Sequence, residues 1–280
     1  MGVLDGKAIV VTGAGRGLGA AYARLAAAEG ASVVVNDVDG DAAAAVADEF
    51  GGLADDADIA TWDGAGALVG RCRAAFGRID GLVNNAGIFR MAHPRDQDPD
   101  EFRAVVEVNL LGTAYCGLHA IRAMLERGGG SVVNVSSGAQ AGATAMAAYG
   151  ASKGGVAALT YCWALDLAGT GIRVNAITPN AHTRMADAFE RYLGERARGR
   201  NIGKPPADNA PAVVYLLSDA AAAITGQVVR IDGDELSLLT HPQVLEPVVR
   251  IADWTVAAVA AAFESDLAPR QQPNGLRRAR

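Results

Sequence analysis

The feature that most constrains the fold is a regular alternation of short apolar, β-rich runs with longer alanine-rich stretches. The runs are Ala8–Val11, Ser32–Val35, Gly81–Val83, Val132–Val135, Arg173–Ile177 and Gln227–Ile231. Between them, Leu18–Glu29, Asp41–Phe50, Gly64–Phe76, Pro99–Glu126 and Tyr149–Leu167 are long enough for helices. Continuous Val and Ile, rather than alternation with polar residues, suits strands buried on both faces of a parallel sheet. Strand–helix alternation then implies right-handed crossovers and a doubly wound α/β sheet with helices on both faces.

Composition narrows the class. A chain of 280 residues, 50% hydrophobic, buries about three quarters of its unfolded surface and needs no disulfide or metal to hold a core. No apolar run reaches about 18 residues, so no membrane span is expected. The net charge of −6 speaks against a nucleic-acid partner, which requires a basic surplus. Cys72, Cys116 and Cys162 form no C-x-x-C pair, and His93, His119, His182 and His241 never fall at metal-ligand spacing, so no metal is expected. Met1–Asp5 lead directly into the first strand without a leader pattern, which points to the cytoplasm.

The first strand–helix junction reads Thr12-Gly13-Ala14-Gly15-Arg16-Gly17-Leu18-Gly19. Glycines at such a junction let backbone approach a pyrophosphate, while the helix N-terminus offers free N–H groups and partial positive charge. A Gly-rich tight turn is the plainer reading of Gly13, Gly17 and Gly19. Asp37, eighteen positions after Gly19 at the end of the second strand, tips the balance: an acid there accepts from both ribose hydroxyls and repels a 2′-phosphate. It favours NAD over NADP in a single-domain Rossmann-type fold, with Arg16 as a counter-signal.

Tyr149 and Lys153 stand four apart in a helical stretch, on one face. A nearby ammonium favours phenolate, making Tyr149 a general acid/base. Lysine is scarce here, with only Lys7, Lys153 and Lys204 in the chain, so the pairing is informative. Upstream, the run Val132–Val135 ends in Ser136-Ser137, at the sheet edge where α/β proteins place ligands.

In order along the chain, Thr12–Gly19, Asn84-Asn85-Ala86-Gly87, Asn109, Ser136-Ser137, Tyr149-x-x-x-Lys153 and Arg173-Val174-Asn175-Ala176 resemble the short-chain dehydrogenases/reductases, over about residues 5–235. The resemblance implies reversible hydride transfer between a secondary alcohol and a nicotinamide cofactor. In that picture Tyr149 moves the proton, Lys153 tunes it and holds the nicotinamide ribose, Ser137 orients the substrate oxygen, and Asn109 anchors a relay water. Asn85, Ala86 and Gly87 would serve the adenine-ribose side, Asp58 and Ile59 the adenine, with Leu18 and Pro179 also at the cofactor. Three departures stand out. Only eleven residues separate Ser137 from Tyr149, one fewer than usual in the family. Counting back by the usual spacing lands on Ser136, whereas the strand end points to Ser137; Ser137 is preferred, with a deletion in the Gly138–Ala148 loop. The family's Pro-Gly is Pro179-Asn180, where Asn tolerates left-handed backbone, and its Asp-Gly-Gly is Asp232-Gly233-Asp234.

Val34–Asp37, Asn175–Pro179 and Thr183-Arg184-Met185 are similar to hydroxyacyl-CoA dehydrogenases, some of whose relatives act on steroids or acyl-carrier thioesters. The expected substrate is a hydrophobic secondary alcohol, a 3-hydroxyacyl thioester or a hydroxysteroid. Alternatives are a 3-oxoacyl-thioester reductase, a small cyclic alcohol dehydrogenase, or a catalytically silent NAD(P)-binding sensor or scaffold. Arg184, Arg191, Arg196, Arg198, Arg200 and Lys204 suit CoA phosphates, but with Asp187, Glu190 and Glu195 among them they equally suit a solvated helix face. The expected organisation is a dinucleotide-binding and catalytic domain at 1–235, with a substrate loop at about 180–206. An extension at 236–265 would pack on the core or a partner subunit, with Val244–Phe263 either covering a dimer or forming part of a lid, and 266–280 would be a disordered tail. The resemblance further implies a homo-oligomer, dimer or tetramer, joined through the helices Pro99–Glu126 and Tyr149–Leu167.

Overall fold

Seven parallel strands and one antiparallel edge strand form the central sheet of the computed structural model, which describes residues 2–193, 204–252 and 254–278. The strands are β1 (Ala8–Thr12), β2 (Ser32–Asn36), β3 (Leu53–Asp55), β4 (Gly81–Asn84), β5 (Gly130–Val135), β6 (Ile172–Asn180), β7 (Val228–Asp232) and β8 (Glu235–Leu238), in the order β3-β2-β1-β4-β5-β6-β7-β8. The Val/Ile runs behave as double-faced strands do. Ile9, Val11, Val33, Val35 and Val83 belong to one core with α1 (Gly17–Ala28), α2 (Gly40–Asp48) and α8 (Ala210–Leu217). Ala8, Val10, Val34, Leu82 and Val132 belong to the other, with α3 (Trp62–Phe76) and α5 (Gly112–Leu125). The order reverses between β1 and β4, and a crevice at the carboxyl ends of such a pair is where an open α/β sheet binds ligands.

Local chemistry sets the helix ends. Asp39 caps α2 through the Ala42 amide, Thr61 caps α3 through the Gly64 amide, and Gly77 at φ 70° ends α3. The expected single helix Pro99–Glu126 is three pieces: α4 (Pro99–Val106), a π turn at Glu107–Leu111, and α5. By length and composition Pro99–Leu125 could cross a membrane, contrary to the reading of the apolar runs, but its Val105, Cys116, Ala120 and Met124 are buried in the protein core. α6 (Ala147–Asp166) comes after β5 and α7 (Arg184–Leu193) after β6 in the chain.

Three features depart from the sequence expectation. β8 turns back from β7 through Gly233 at φ 61°, so Asp232-Gly233-Asp234 makes a tight hairpin with Asp232 opposite Glu235. Asn180 stays extended at the end of β6 and donates to Asp232 Oδ1 at 2.7 Å, so no left-handed turn forms there. The tail, expected to be disordered, follows a defined path through residue 278. After α9 (Val256–Ala262), Arg270 donates to the Pro247 carbonyl at 2.7 Å, the Gly275 amide donates to the Ala141 carbonyl at 3.1 Å, and Arg278 pairs with Glu235. Two hydrogen bonds to backbone carbonyls and an ion pair mark this path, and none of them has a hydrophobic signature.

Leu82 is fully buried at the centre of the second core. Leu82→Ala is expected to lower unfolding free energy by about 3 kcal/mol, read from the denaturant midpoint at unchanged slope.

Candidate active site

The site begins where β1 and β4 end side by side. Thr12 Oγ1 accepts from the amides of Asn85 and Ala86, both at 3.1 Å. Asn85 Nδ2 donates back to the carbonyls of Thr12 at 2.9 Å and Gly13 at 3.0 Å. These bonds pin the glycine turn to the segment after β4. A Cβ on Gly13, at φ 60°, would lie 2.7 Å from Ala86 Cα, and one on Gly19 would lie 2.3 Å from the Gly13 carbonyl oxygen. Gly17, at φ 57°, borders open space. No described side chain caps α1 and its first turn carries no acid, leaving its amides for an anion. Bare backbone, open space and uncapped amides fit a dinucleotide pyrophosphate. Leu18 instead packs on the first core.

Asp37 is 8% exposed, with Oδ2 accepting from the Gly15 amide and Oδ1 from the Asp39 amide, both at 3.1 Å. Arg16 donates to Asp39 Oδ2 at 3.0 Å and stands 3.9 Å from Asp37 Oδ1, so two carboxylates share its charge. Asp58 is exposed and accepts from the Ala60 amide at 2.9 Å in the turn before α3. Its neighbour Ile59 is a core side chain, so only its backbone is left to meet an adenine.

Tyr149 and Lys153 occupy one face of α6, with the Lys153 Nζ 5.8 Å from the Tyr149 ring centroid. Nζ donates to the Val135 carbonyl at 2.6 Å, and burial lowers its pKa to about 8. The expectation that the ammonium depresses the phenol is corrected here: burial pushes the Tyr149 hydroxyl up, and its hydrogen bond with Ser137 works against that rise. With the ammonium committed to a carbonyl, desolvation governs both groups. The two serines diverge. Ser136 is buried and its hydroxyl donates to the Lys153 carbonyl at 2.9 Å, whereas Ser137 faces Tyr149 and accepts from the Ala139 amide at 3.2 Å. Asn109 is fully buried in the π turn, bonded through Oδ1 to the Ile88 amide at 2.8 Å and through Nδ2 to the Ile88 carbonyl at 3.0 Å and Ser152 Oγ at 3.2 Å. A Cβ on Gly87 would lie 3.2 Å from Asn109 Oδ1 and 3.7 Å from Lys153 Nζ, so glycine keeps that space clear.

The sequence pattern of the short chain dehydrogenase family matches residues 7–191. This chain belongs to that family. It is 40% identical over 249 residues to a cis-4-hydroxycyclohexanecarboxylate dehydrogenase of Sinomonas cyclohexanicum, covering 81% of this chain and 95% of the relative. It is 37% identical over 248 residues to a 3-alpha-(or 20-beta)-hydroxysteroid dehydrogenase of Mycobacterium bovis, covering 86% and 93%. Among solved structures, a short chain dehydrogenase from Mycobacterium avium superposes with a TM-score of 0.85 at 33% identity, covering 98% of each chain. A gluconate 5-dehydrogenase from Burkholderia cenocepacia, solved with NADP and tartrate, superposes with a TM-score of 0.73 at 34% identity, covering 82% and 95%. The chain is accordingly an oxidoreductase acting on CH–OH groups through a nicotinamide cofactor.

In this short chain dehydrogenase, several residues without a sequence signal complete the surroundings. Phe89 meets the Tyr149 ring edge-on, centroids 5.0 Å apart, and Tyr192 of α7 bonds His93 Nε2 at 2.9 Å, joining α7 to the segment after β4. Pro179 lies within β6, opposite Ile231. Of the basic cluster, Lys204 pairs with Asp234, while Arg196, Arg198 and Arg200 lie outside the described residues, as does the Arg184 side chain. Contacts across the fold, such as Thr12 with Asn85, leave no local pattern to read.

Gly19→Ala is expected to weaken NADH binding by about tenfold or more, about 1.4 kcal/mol, in a fluorescence titration. Ser137→Ala is expected to cut alcohol oxidation by about 10²-fold. Because the Ser137 hydroxyl favours the Tyr149 phenolate, its removal raises that pKa, and the rising limb of the pH–rate profile moves to higher pH.

Proposed function

We propose that this enzyme oxidises a secondary alcohol carried on an alicyclic ring, with NAD as the hydride acceptor and Ser137, Tyr149 and Lys153 as its catalytic residues. The observation that carries the reading is the convergence of Ser137 and Tyr149 above the buried Lys153, beside a glycine turn built for a pyrophosphate. When bound, the dinucleotide supplies the hydride acceptor. Ser137 holds the substrate oxygen, and Tyr149, as phenolate, takes the hydroxyl proton when alcohol is oxidised. Lys153 fixes the α6 face against β5 through the Val135 carbonyl and serves the nicotinamide ribose. Asp37 holds the adenine ribose hydroxyls, and the engagement of Arg16 by Asp37 and Asp39 supports NAD over NADP. Asn109 keeps the Ile88 backbone in place along the same crevice.

A ring alcohol is supported by two relatives whose names specify hydroxycyclohexane and hydroxysteroid substrates, and by the aromatic edge that Phe89 presents beside Tyr149. The pairing of Lys204 with Asp234 removes one cation from a CoA phosphate site. Trp254, Val256, Leu236 and Leu238, exposed on the extension and β8, support a homo-oligomer.

The reading is tested with NAD against cyclohexanol, 4-hydroxycyclohexanecarboxylate, a 3-hydroxysteroid and a 3-hydroxyacyl-CoA. The ring alcohols should be turned over fastest; preference for the thioester refutes the substrate class. Tyr149→Phe should lose at least about 10³-fold in kcat while binding NADH as the wild type does, and tighter binding of NADPH than NADH refutes the role of Asp37.

A further inference from the structure

The loop after Ser137 is held from two sides. On one side, the Ser136 hydroxyl donates to the Lys153 carbonyl at 2.9 Å and lies 3.0 Å from the Gln140 carboxamide oxygen, seating the start of the loop against α6. The loop's internal bonds are short-range: the Gln140 amide to the Ser137 carbonyl and the Gly142 amide to the Ala139 carbonyl, both at 3.0 Å. Residues 141–144 are exposed. The other side is held by the C-terminal tail. The Gly275 amide donates to the Ala141 carbonyl at 3.1 Å. Leu276 Cδ2 lies 3.1 Å from where a Cβ on Gly138 would stand, so this side chain covers the residue next to Ser137. Gly142 and Gly275 meet backbone to backbone, at φ 100° and 86°. Three residues after Gly275, Arg278 is anchored to Glu235 of β8.

We propose that Gly275 and Leu276 are positioning residues for Ser137, the tail clamping the loop Gly138–Gly142 so that the Ser137 hydroxyl stays on Tyr149. The proposal rests on the reading of Ser137 as the residue that orients the substrate oxygen. The loop crosses from β5 to α6 with an exposed stretch between, and the tail supplies its outer wall. Displacing a catalytic group by about 1 Å costs up to about 10²-fold in rate, so a loosened loop acts on turnover well before it acts on folding.

The test uses the full chain, a chain ending at Pro273, Leu276→Ala and Leu276→Met, assayed with NAD and the fastest of the four alcohols named above. The truncated chain and Leu276→Ala are expected to lose about tenfold in kcat/KM and to move the rising pH limb upward, as Ser137→Ala does. NADH affinity and Tm should stay at wild-type values, and Leu276→Met should restore most of the rate. In a Ser137→Ala background the same changes should add nothing, since the group they position is gone. Wild-type kcat/KM in both the truncated chain and Leu276→Ala, a full further loss in the Ser137→Ala background, or a parallel fall in NADH affinity overturns the proposal. A silent Ser137→Ala overturns the reading of Ser137 and the proposal with it, whereas an effective Ser137→Ala beside a silent tail overturns the proposal alone.

Discussion

At the seam between β1 and β4, two parallel strands end together and the sheet order turns outward on either side, the place where an open α/β sheet forms its crevice. The Thr12 hydroxyl and the Asn85 carboxamide hold its two lips together with five hydrogen bonds, all of them to backbone. The glycine turn keeps its shape because those bonds hold it, and glycine is required because Ala86 and Asn85 come so close. Asp37, Asn109 and the α6 face are arranged around this seam.

The second organising fact is a buried cation. Lys153 is 3% exposed, and taking an ammonium out of water is costly unless it is bonded. The Val135 carbonyl, at the last residue of β5, satisfies one of its three donors. Burial lowers its pKa to about 8, and the bond to the carbonyl fixes its position beneath Tyr149. The Tyr149 hydroxyl is pushed in the opposite sense by the same burial, and the Ser137 bond moderates it. One desolvated pocket thus drives the two pKa values apart, the phenol upward and the ammonium downward.

What could be read from the sequence follows from where the physics is local. Strands such as Ala8–Thr12 were legible because burial on both faces demands an unbroken apolar run, and Tyr149 with Lys153 because their chemistry demands one helical turn of separation. β3 escaped notice as three residues ending in Asp55, and β8 because all four of its residues are exposed. Ile59 matched a pattern at the cofactor, but its side chain went to the core. The Tyr192–His93 bond and the tail's grip on Ala141 join residues about a hundred or more positions apart and leave no spacing to detect.

The π turn at Glu107–Leu111 carries one residue beyond the α-helical repeat, and each residue advances an α-helix by about 100°. It therefore acts as a phase shifter between α4 and α5. The α4 face that buries Val105 and the α5 face that buries Cys116, Ala120 and Met124 need not share one stripe, because the wide turn re-indexes the helix between them. Asn109 sits in that correction. Its amide reaches Ile88 and Ser152 from a position tied to the joint where the helix changes register, so the length of this segment is as much a constraint on the crevice as the identity of the asparagine.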